Sequence, residues 1–312
     1  MIKWIVMGAS SFSGKAFCRH VERCGDSVVP LSRYDGCNFN SISGRSRIIE
    51  ALRFNSDVAY VVNFAALNMV ADSWMYYADY YKTNVGGVAW FARECQSRFP
   101  RLRRFIQVST PEVYGNMMRV ISESDYYLPS TPYAASRAAA DMDLAALWRA
   151  TGFPVSFTRV VNVYGEGQQP YRLIPKLVLS IMRGEKFMLD GGGVSERSFI
   201  HIDDVARFTS SVAIDGDAGG IYHASGCDLI TIRHVVEQVC GLCGVQFSDV
   251  VQERPERLGK DHAYILDDFK ARDTLGWSPA IPFDVGLANT VKWVLNNPDF
   301  YRDQSLTYQH IP

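Results

Sequence analysis

The apolar run Ile2–Met7 stops at Gly8, and Gly14, a few residues on, begins a stretch with helical spacing. A strand that ends in a glycine turn and passes straight into a helix restricts the fold more than any other feature of this chain. The pattern then repeats. Val28–Ser32, Val58–Phe64 and Phe105–Ser109 read as strands, with Gly14–Cys24, Arg45–Leu52 and Trp74–Arg98 as the helices among them. Tyr133–Thr151 reads as an alanine-rich helix and Val155–Val161 as a further strand. Continuous apolar strands alternating with helices imply a parallel sheet covered on both faces, an α/β fold of the Rossmann, doubly wound type.

The second half is more broken, with Pro170, Gly191–Gly193, Pro255, Pro279 and Pro282 as punctuation. Ile174–Arg183, Asp204–Ile214, Ile232–Cys243, Phe269–Leu275 and Asp284–Leu295 read as helices, with short strands near Phe187–Leu189, Ser198–His201 and Gly220–His223. The expected plan is a dinucleotide-binding domain over 1–165 that carries the catalytic residues. A smaller substrate-binding lobe over 166–312 is partly interleaved with the last strands. With 312 residues, 47% of them hydrophobic, the chain is long enough for such a core.

Charge is balanced at 32 Lys+Arg against 33 Asp+Glu, so a nucleic-acid partner held by a basic field is not expected. No apolar run approaches the roughly 20 residues of a membrane span, and no cleavage region follows the first strand. The seven cysteines are scattered, and Cys240 and Cys243 form one CxxC without a second pair. Buried thiols are expected there, with no metal site, in a cytoplasmic, reduced protein.

Gly8-Ala9-Ser10-Ser11-Phe12-Ser13-Gly14 is placed to bind a dinucleotide. Glycines let backbone amides approach a pyrophosphate, and the helix N-terminus stabilises its charge. The spacing alone is unspecific; its place after an N-terminal strand selects the cofactor reading over a plain turn. The second strand ends Leu31-Ser32-Arg33 without a carboxylate. A hydroxyl and a guanidinium suit a 2′-phosphate, so NADP is favoured over NAD, with Asp35 the alternative acid that would suit NAD. Asn63-Phe64-Ala65-Ala66 would pass small residues under the cofactor or simply pack helix on strand.

Ser109-Thr110-Pro111-Glu112-Val113-Tyr114-Gly115 closes a strand, and Tyr133-Ala134-Ala135-Ser136-Arg137 opens the next helix. Here the chain resembles the extended short-chain dehydrogenase/reductase family, and within it the nucleotide-sugar 4,6-dehydratases of the dTDP-glucose type. Those carry Ser-Thr-Asp-Glu-Val-Tyr-Gly and Tyr-x-x-x-Lys at these places. The resemblance continues through Thr83-Asn84-Val85, Asn162-Val163-Tyr164-Gly165, Arg172-Leu173-Ile174-Pro175 and Arg197-Ser198-Phe199-Ile200-His201-Ile202-Asp203-Asp204. It then takes in Arg254-Pro255, Gly259, Asp261, Tyr264, Asp267 and Leu275-Gly276-Trp277, and so covers residues 1–295.

The resemblance implies an NAD(P)-dependent enzyme acting on a nucleotide-diphosphate sugar. Its catalytic residues would be Thr110, Glu112, Tyr133 and Arg137. The cofactor would meet Gly8, Ser10, Ser11, Phe12, Ser13, Gly14, Ser32, Arg33, Asn40, Phe64, Ala65, Ala66, Asn84, Val108, Tyr133 and Arg137. The substrate would meet Asn68, Ser109, Thr110, Pro111, Glu112, Asn162, Arg172, Ile174, Arg197, Arg257 and Asp261. Pairing of Trp74–Arg98 and Tyr133–Thr151 with a second copy implies a homodimer. His201 and His223 have no metal-ligand spacing and read as structural.

In the family a tyrosine takes the sugar 4-hydroxyl proton while C4 gives up a hydride. A free tyrosine titrates near ~10, and a fixed cation nearby makes it a usable base. That cation is a lysine in the family and Arg137 here, which keeps the charge but cannot shuttle a proton. The family's Glu, Glu112 here, takes the C5 proton, and its neighbouring Asp protonates the departing 6-hydroxyl. Pro111 stands in that Asp position and has no titratable group. The acid would be a water, Glu123 or Asp125, or none is needed. A 4,6-dehydratase is expected first. A 5,6-dehydratase, an epimerase, a 4-keto reductase and a catalytically silent nucleotide-sugar binder remain open.

Overall fold

The computed structural model describes residues 1–115, 119–123, 126–226, 229–255 and 265–311. Its central sheet has six parallel strands: β1 (Lys3–Met7), β2 (Ser27–Leu31), β3 (Tyr60–Asn63), β4 (Arg104–Val108), β5 (Val155–Val160) and β6 (Ile221–Ala224). They lie in the order β2-β1-β3-β4-β5-β6. β2 is an edge strand, which is why it can contain Pro30, opposite Val6: an edge position needs no second ladder donor. β1 lies between β2 and β3, so the connections around it turn opposite ways. A crevice opens there at the carboxyl ends of the strands.

The helices are α1 (Phe12–Arg23), α2 (Ile42–Arg53), α3 (Val88–Arg98), α4 (Pro132–Thr151), α5 (Leu173–Arg183), α6 (Ile202–Asp215), α7 (Ile232–Leu242), α8 (Phe269–Leu275) and α9 (Phe283–Asn296). Alternation along the strands sorts them into layers. Trp4 and Val6 join a cluster with Phe17 of α1, Phe208 of α6 and Ala271 of α8. Ile5 and Met7 join the opposite cluster, with Ile48 of α2, Phe91 of α3 and Leu144 of α4. A third cluster is built from α5, α7 and α9, with Tyr164 and Phe187. Elements from the second half, α6 and β6, thus complete the sheet, while α5, α7 and α9 form a lobe of their own.

The expected helix Trp74–Arg98 runs without a break from Tyr77 to Arg98 but is not regular: Tyr77–Tyr80 and Val88–Arg98 are α-helical, Tyr81–Gly87 between them is π-helical, and Val70–Ser73 is a separate short turn. The wide turn has a tertiary cause. Asn84, fully buried, accepts the Leu67 amide hydrogen at 2.9 Å and donates to the Leu67 carbonyl and the Ser136 hydroxyl, each at 3.0 Å. Side-chain periodicity carries no sign of such a π-turn. The stretch Ser198–His201 also divides. Phe199–His201 pairs with Asn162–Tyr164, while Arg197 belongs to a separate antiparallel bridge with Ile230.

Candidate active site

A cleft of about 630 Å³ crosses the carboxyl ends of β1, β2 and β3. Gly8, Ser10, Ser11, Phe12, Arg33, Asn40, Phe64, Ala65, Ala66 and Asn68 line it. Gly8 has φ +80°, and a Cβ there would lie 2.7 Å from the Ala65 nitrogen. Gly14 is buried beneath the loop, where a Cβ would lie 2.2 Å from the Gly8 carbonyl oxygen. The Ser11 hydroxyl caps α1 by accepting the Gly14 amide hydrogen at 3.0 Å. The positive end of α1 and the Lys15 side chain therefore border the cleft. Ser13 does not line it.

Ser32 and Arg33 are already engaged. Ser32 is buried and donates to the Asp35 carboxylate at 2.6 Å. Arg33 lines the cleft and donates to the Ile311 carbonyl at 2.7 Å. The acid missing from Leu31-Ser32-Arg33 arrives at Asp35, through the short turn Arg33–Asp35.

Leu67 lines the cleft and packs with Tyr80 and Tyr133, so the candidate catalytic residues lie one layer behind it. Tyr133 is on the first turn of α4. The Thr131 hydroxyl caps that helix by accepting the Ala134 amide hydrogen at 3.1 Å, and Pro132 starts it where a missing amide hydrogen costs nothing. Thr110 faces the Tyr133 hydroxyl and favours its ionised form. Burial pushes its proton affinity above the ordinary tyrosine value; the Arg137 charge pulls it down and the Glu112 charge pushes it up. Arg137 is 2% exposed and donates to the Val108 carbonyl. Its Nε and Nη1 find no partner among the described residues. Buried donors of this kind, beside a glycine-lined helix N-terminus, fit the ribose hydroxyls and pyrophosphate of a nicotinamide dinucleotide.

Pro111 begins a tight turn, Pro111–Tyr114, capped by the Thr110 hydroxyl, which accepts the Glu112 amide hydrogen at 3.3 Å. The turn leaves Glu112 half-buried between Thr110 and the buried Val113. Beneath it runs a network that the sequence reading missed. Ser109 donates to Asp141 at 2.6 Å, and Arg159 reaches the same carboxylate oxygen at 3.0 Å, both members of the ion pair being fully buried. Arg159 also meets Tyr114 and Tyr127, and the Tyr114 hydroxyl lies 2.7 Å from His223 Nε2. Burial first, and the Arg159 charge second, push His223 down to about 3, so the ring is neutral. Its Nδ1 faces the Asp267 carbonyl at 3.1 Å. No local pattern marks these contacts.

Of the proposed acids, Glu123 accepts the His223 amide hydrogen at 3.0 Å, and Asp125 lies outside the described residues. So do Arg257 and Asp261, together with Gly259 and Tyr264. Arg172 stands just before α5, over the Tyr171 ring, with its charge felt at Tyr133. Asn162 begins a short strand, and Arg197 is buried and donates to the Glu196 carbonyl. The Ile174 side chain, expected on the substrate, is instead 1% exposed in the third cluster with Leu177 and Val178. Its place on the apolar face of α5 leaves no side-chain surface for a ligand. Lys15, Tyr34, Gln169, Tyr171 and the distant Tyr308 line the cleft without having been singled out.

Cys240 is buried, Cys243 packs beside it, and both thiols are free and pushed up by burial. His201 caps α6 through the Asp203 amide and pairs with Glu166 at 3.0 Å. Among the described residues there is no group of three or more potential metal-ligating side chains. No helix among them is long and apolar enough to cross a membrane.

Residues 4–224 match the model of the NAD dependent epimerase/dehydratase family. The chain is 38% identical over 239 residues to a dTDP-glucose 4,6-dehydratase of Streptomyces niveus, covering 76% of this chain and 70% of that one. It is 32% identical to a trifunctional UDP-glucose 4,6-dehydratase/3,5-epimerase/reductase of Arabidopsis thaliana over 89% of this chain, yet spans only 44% of that longer protein. Among solved structures, the dTDP-glucose 4,6-dehydratase of Streptomyces venezuelae with NAD and TYD bound superposes with a TM-score of 0.86. It is 29% identical and covers 96% of this chain and 98% of its own. With the strand order, the glycine loop and the family match in agreement, this chain belongs to the NAD dependent epimerase/dehydratase family.

Proposed function

We propose that the chain is a nucleotide-sugar 4,6-dehydratase that borrows a hydride on a bound nicotinamide dinucleotide and returns it. The observation that carries this reading is buried Tyr133 facing Thr110, with Glu112 on the adjoining turn and Arg137 one helical turn away. The dinucleotide supplies the hydride acceptor and, later, the donor. Tyr133 takes the proton of the sugar 4-hydroxyl, and the Arg137 charge favours the phenolate. Thr110 hydrogen-bonds the 4-oxygen. Glu112 removes the C5 proton, which a 4-keto group acidifies. Arg172 and Arg197 pair with the diphosphate, a role suited to the guanidinium fork.

Pro111 favours a second reading on the same scaffold, because it cannot protonate a departing 6-hydroxyl. That reading is C5 deprotonation followed by epimerisation, in which no water leaves. Incubation with a panel of dTDP- and UDP-hexoses in deuterated water separates the two. The 4,6-dehydratase gives a 4-keto-6-deoxy product lighter by one water, with deuterium at C5. C5 exchange without loss of water on any sugar replaces it with an epimerase.

The cofactor we infer is NAD, against the preference for NADP drawn from Ser32 and Arg33. Ser32 is held by Asp35 and Arg33 by the Ile311 carbonyl, and the S. venezuelae structure holds NAD. Fluorescence titration with NADH and NADPH tests this; tighter NADPH binding reinstates the original preference. We also propose a homodimer through α3 and α4, where Met142 is 55% exposed. Light scattering that gives a monomer mass removes it.

A further inference from the structure

The distal part of the chain returns to the cofactor cleft at a place that no motif marks. After α9, the turn Pro298–Tyr301 is anchored in the third core, where Tyr301 is 1% exposed and donates to the Gln168 carbonyl at 2.8 Å. Leu306 still packs against that core, and beyond it residues 307–311 reach the loops that follow β2 and β3. Three contacts hold them. Tyr308 lies edge-on to Tyr171 with centroids 5.4 Å apart. The Ile311 carbonyl accepts from Arg33. Between these, the His310 ring stacks on Tyr76, with centroids 4.0 Å apart and planes 4° from parallel, and its Nε2 lies 2.9 Å from the Asp79 carboxylate.

Two features set this segment apart from an ordinary surface stretch. The His310 side chain is only 7% exposed. Residues around it, Thr307, Gln309 and Ile311, line the same cleft as Gly8 and Ala65. The segment therefore joins the two lobes across the place where the residues fit a dinucleotide.

We propose that residues 303–311 form a strap that completes the dinucleotide site and retains the cofactor between turnovers, with His310 as its anchor. The proposal rests on the reading of the cleft as a nicotinamide site. If a hydride is borrowed and returned within one cycle, the cofactor ends each turnover in its starting redox state. Exchange is then unnecessary, and a cover that slows it does not slow the chemistry. The anchors are a ring stack and two hydrogen bonds, contacts weak enough singly to open when the cofactor is first loaded. Closure of a segment over a site from another lobe is a common way to control release. The strap also reaches the catalytic pocket, because Tyr80, 6.1 Å from the His310 ring, lies edge-on to Tyr133 at 6.3 Å.

The test is cofactor release from the full chain loaded with NADH, followed by loss of NADH fluorescence after dilution into excess NAD. His310→Ala is expected to speed release by about tenfold, the scale of a lost ring stack and side-chain hydrogen bond together. Tyr76→Ala, which removes the same stack from the other side, reproduces much of that effect. His310→Phe, which keeps a ring, restores much of the slow release. Deletion of 303–312 exceeds all three. Unchanged release in both His310→Ala and the deletion overturns the strap, as does tighter NADH binding after deletion, which would make the segment an obstruction. Failure of the intact chain to bind NADH or NADPH removes the dinucleotide reading itself, and the strap with it.

Discussion

The glycine loop and the candidate catalytic pocket lie at the same end of the sheet, after β1 and after β4 with β3 between them, but they are made from different material. The loop is backbone. Gly8, Ser11 and Gly14 fall within one stretch between β1 and α1, and their work is done by a positive φ, a close approach and a cap. The pocket is side chains drawn from afar. Thr110 and Glu112 follow β4, Tyr133 and Arg137 lie on α4, and beneath them Asp141 of α4, Arg159 of β5 and His223 of β6 hold the strand end in place. A backbone site of this kind is intolerant of an added Cβ and otherwise forgiving. A buried network is intolerant of losing any member, since each loss strands a desolvated partner.

The largest effect is expected where chemistry and network meet. Tyr133→Phe removes the proposed base and leaves the fold, so kcat is expected to fall by about 100- to 10,000-fold while NADH titration is little changed. An active Tyr133→Phe enzyme breaks the pocket assignment. Asp141→Ala leaves the buried Arg159 charge without its carboxylate, and is expected to cost about 3–5 kcal/mol in urea unfolding. A loss no larger than that of a surface substitution would mean that the network is not the support described here.

A pH effect follows from His223. Its folded value, about 3, lies below the ordinary 6.5, so the unfolded chain binds the extra proton between those values. Its contribution is complete above pH 6.5 and is lost as pH falls toward 3, by about 1.4 kcal/mol per pH unit. The difference in pH slope between the parent and His223→Gln, read from unfolding midpoints across that window, isolates it. Equal slopes remove the buried neutral ring from the account. The smallest effect is expected in the loop. Gly8→Ala places a side chain at φ +80°, a strain of about 1–2 kcal/mol, and should weaken NADH binding on the order of tenfold. It should spare the fold that Asp141→Ala damages, and the two variants together sharpen the contrast between the regions.

Much of this was legible in the sequence wherever the cause is local. The β1–α1 turn, the alternation that builds the parallel sheet, and Tyr133, Thr110 and Glu112 are carried by neighbouring residues. The contacts that escaped notice join positions far apart, such as Ser109 with Asp141, Tyr114 with His223 and Arg33 with Ile311. Asn84 was identified as a motif residue, but the π-turn that aims it at Leu67 and Ser136 was not, because a wide turn keeps nearly the same apolar pattern as a regular helix. Ile174 shows the opposite failure: a motif position suggested a ligand contact, and burial of its side chain against α5's neighbours assigned it to the core.

What the sequence by itself determined is the type of sheet and the glycine loop, since steric limits on φ and strand alternation act within a few residues. Only the tertiary structure decided that Asp35 engages Ser32 and that an ion pair lies under the catalytic strand. It also decided that a distal histidine is inserted between the tyrosines beside the cofactor cleft. Those arrangements depend on which desolvated groups the packed elements bring within hydrogen-bonding reach, and packing is set by the whole chain at once.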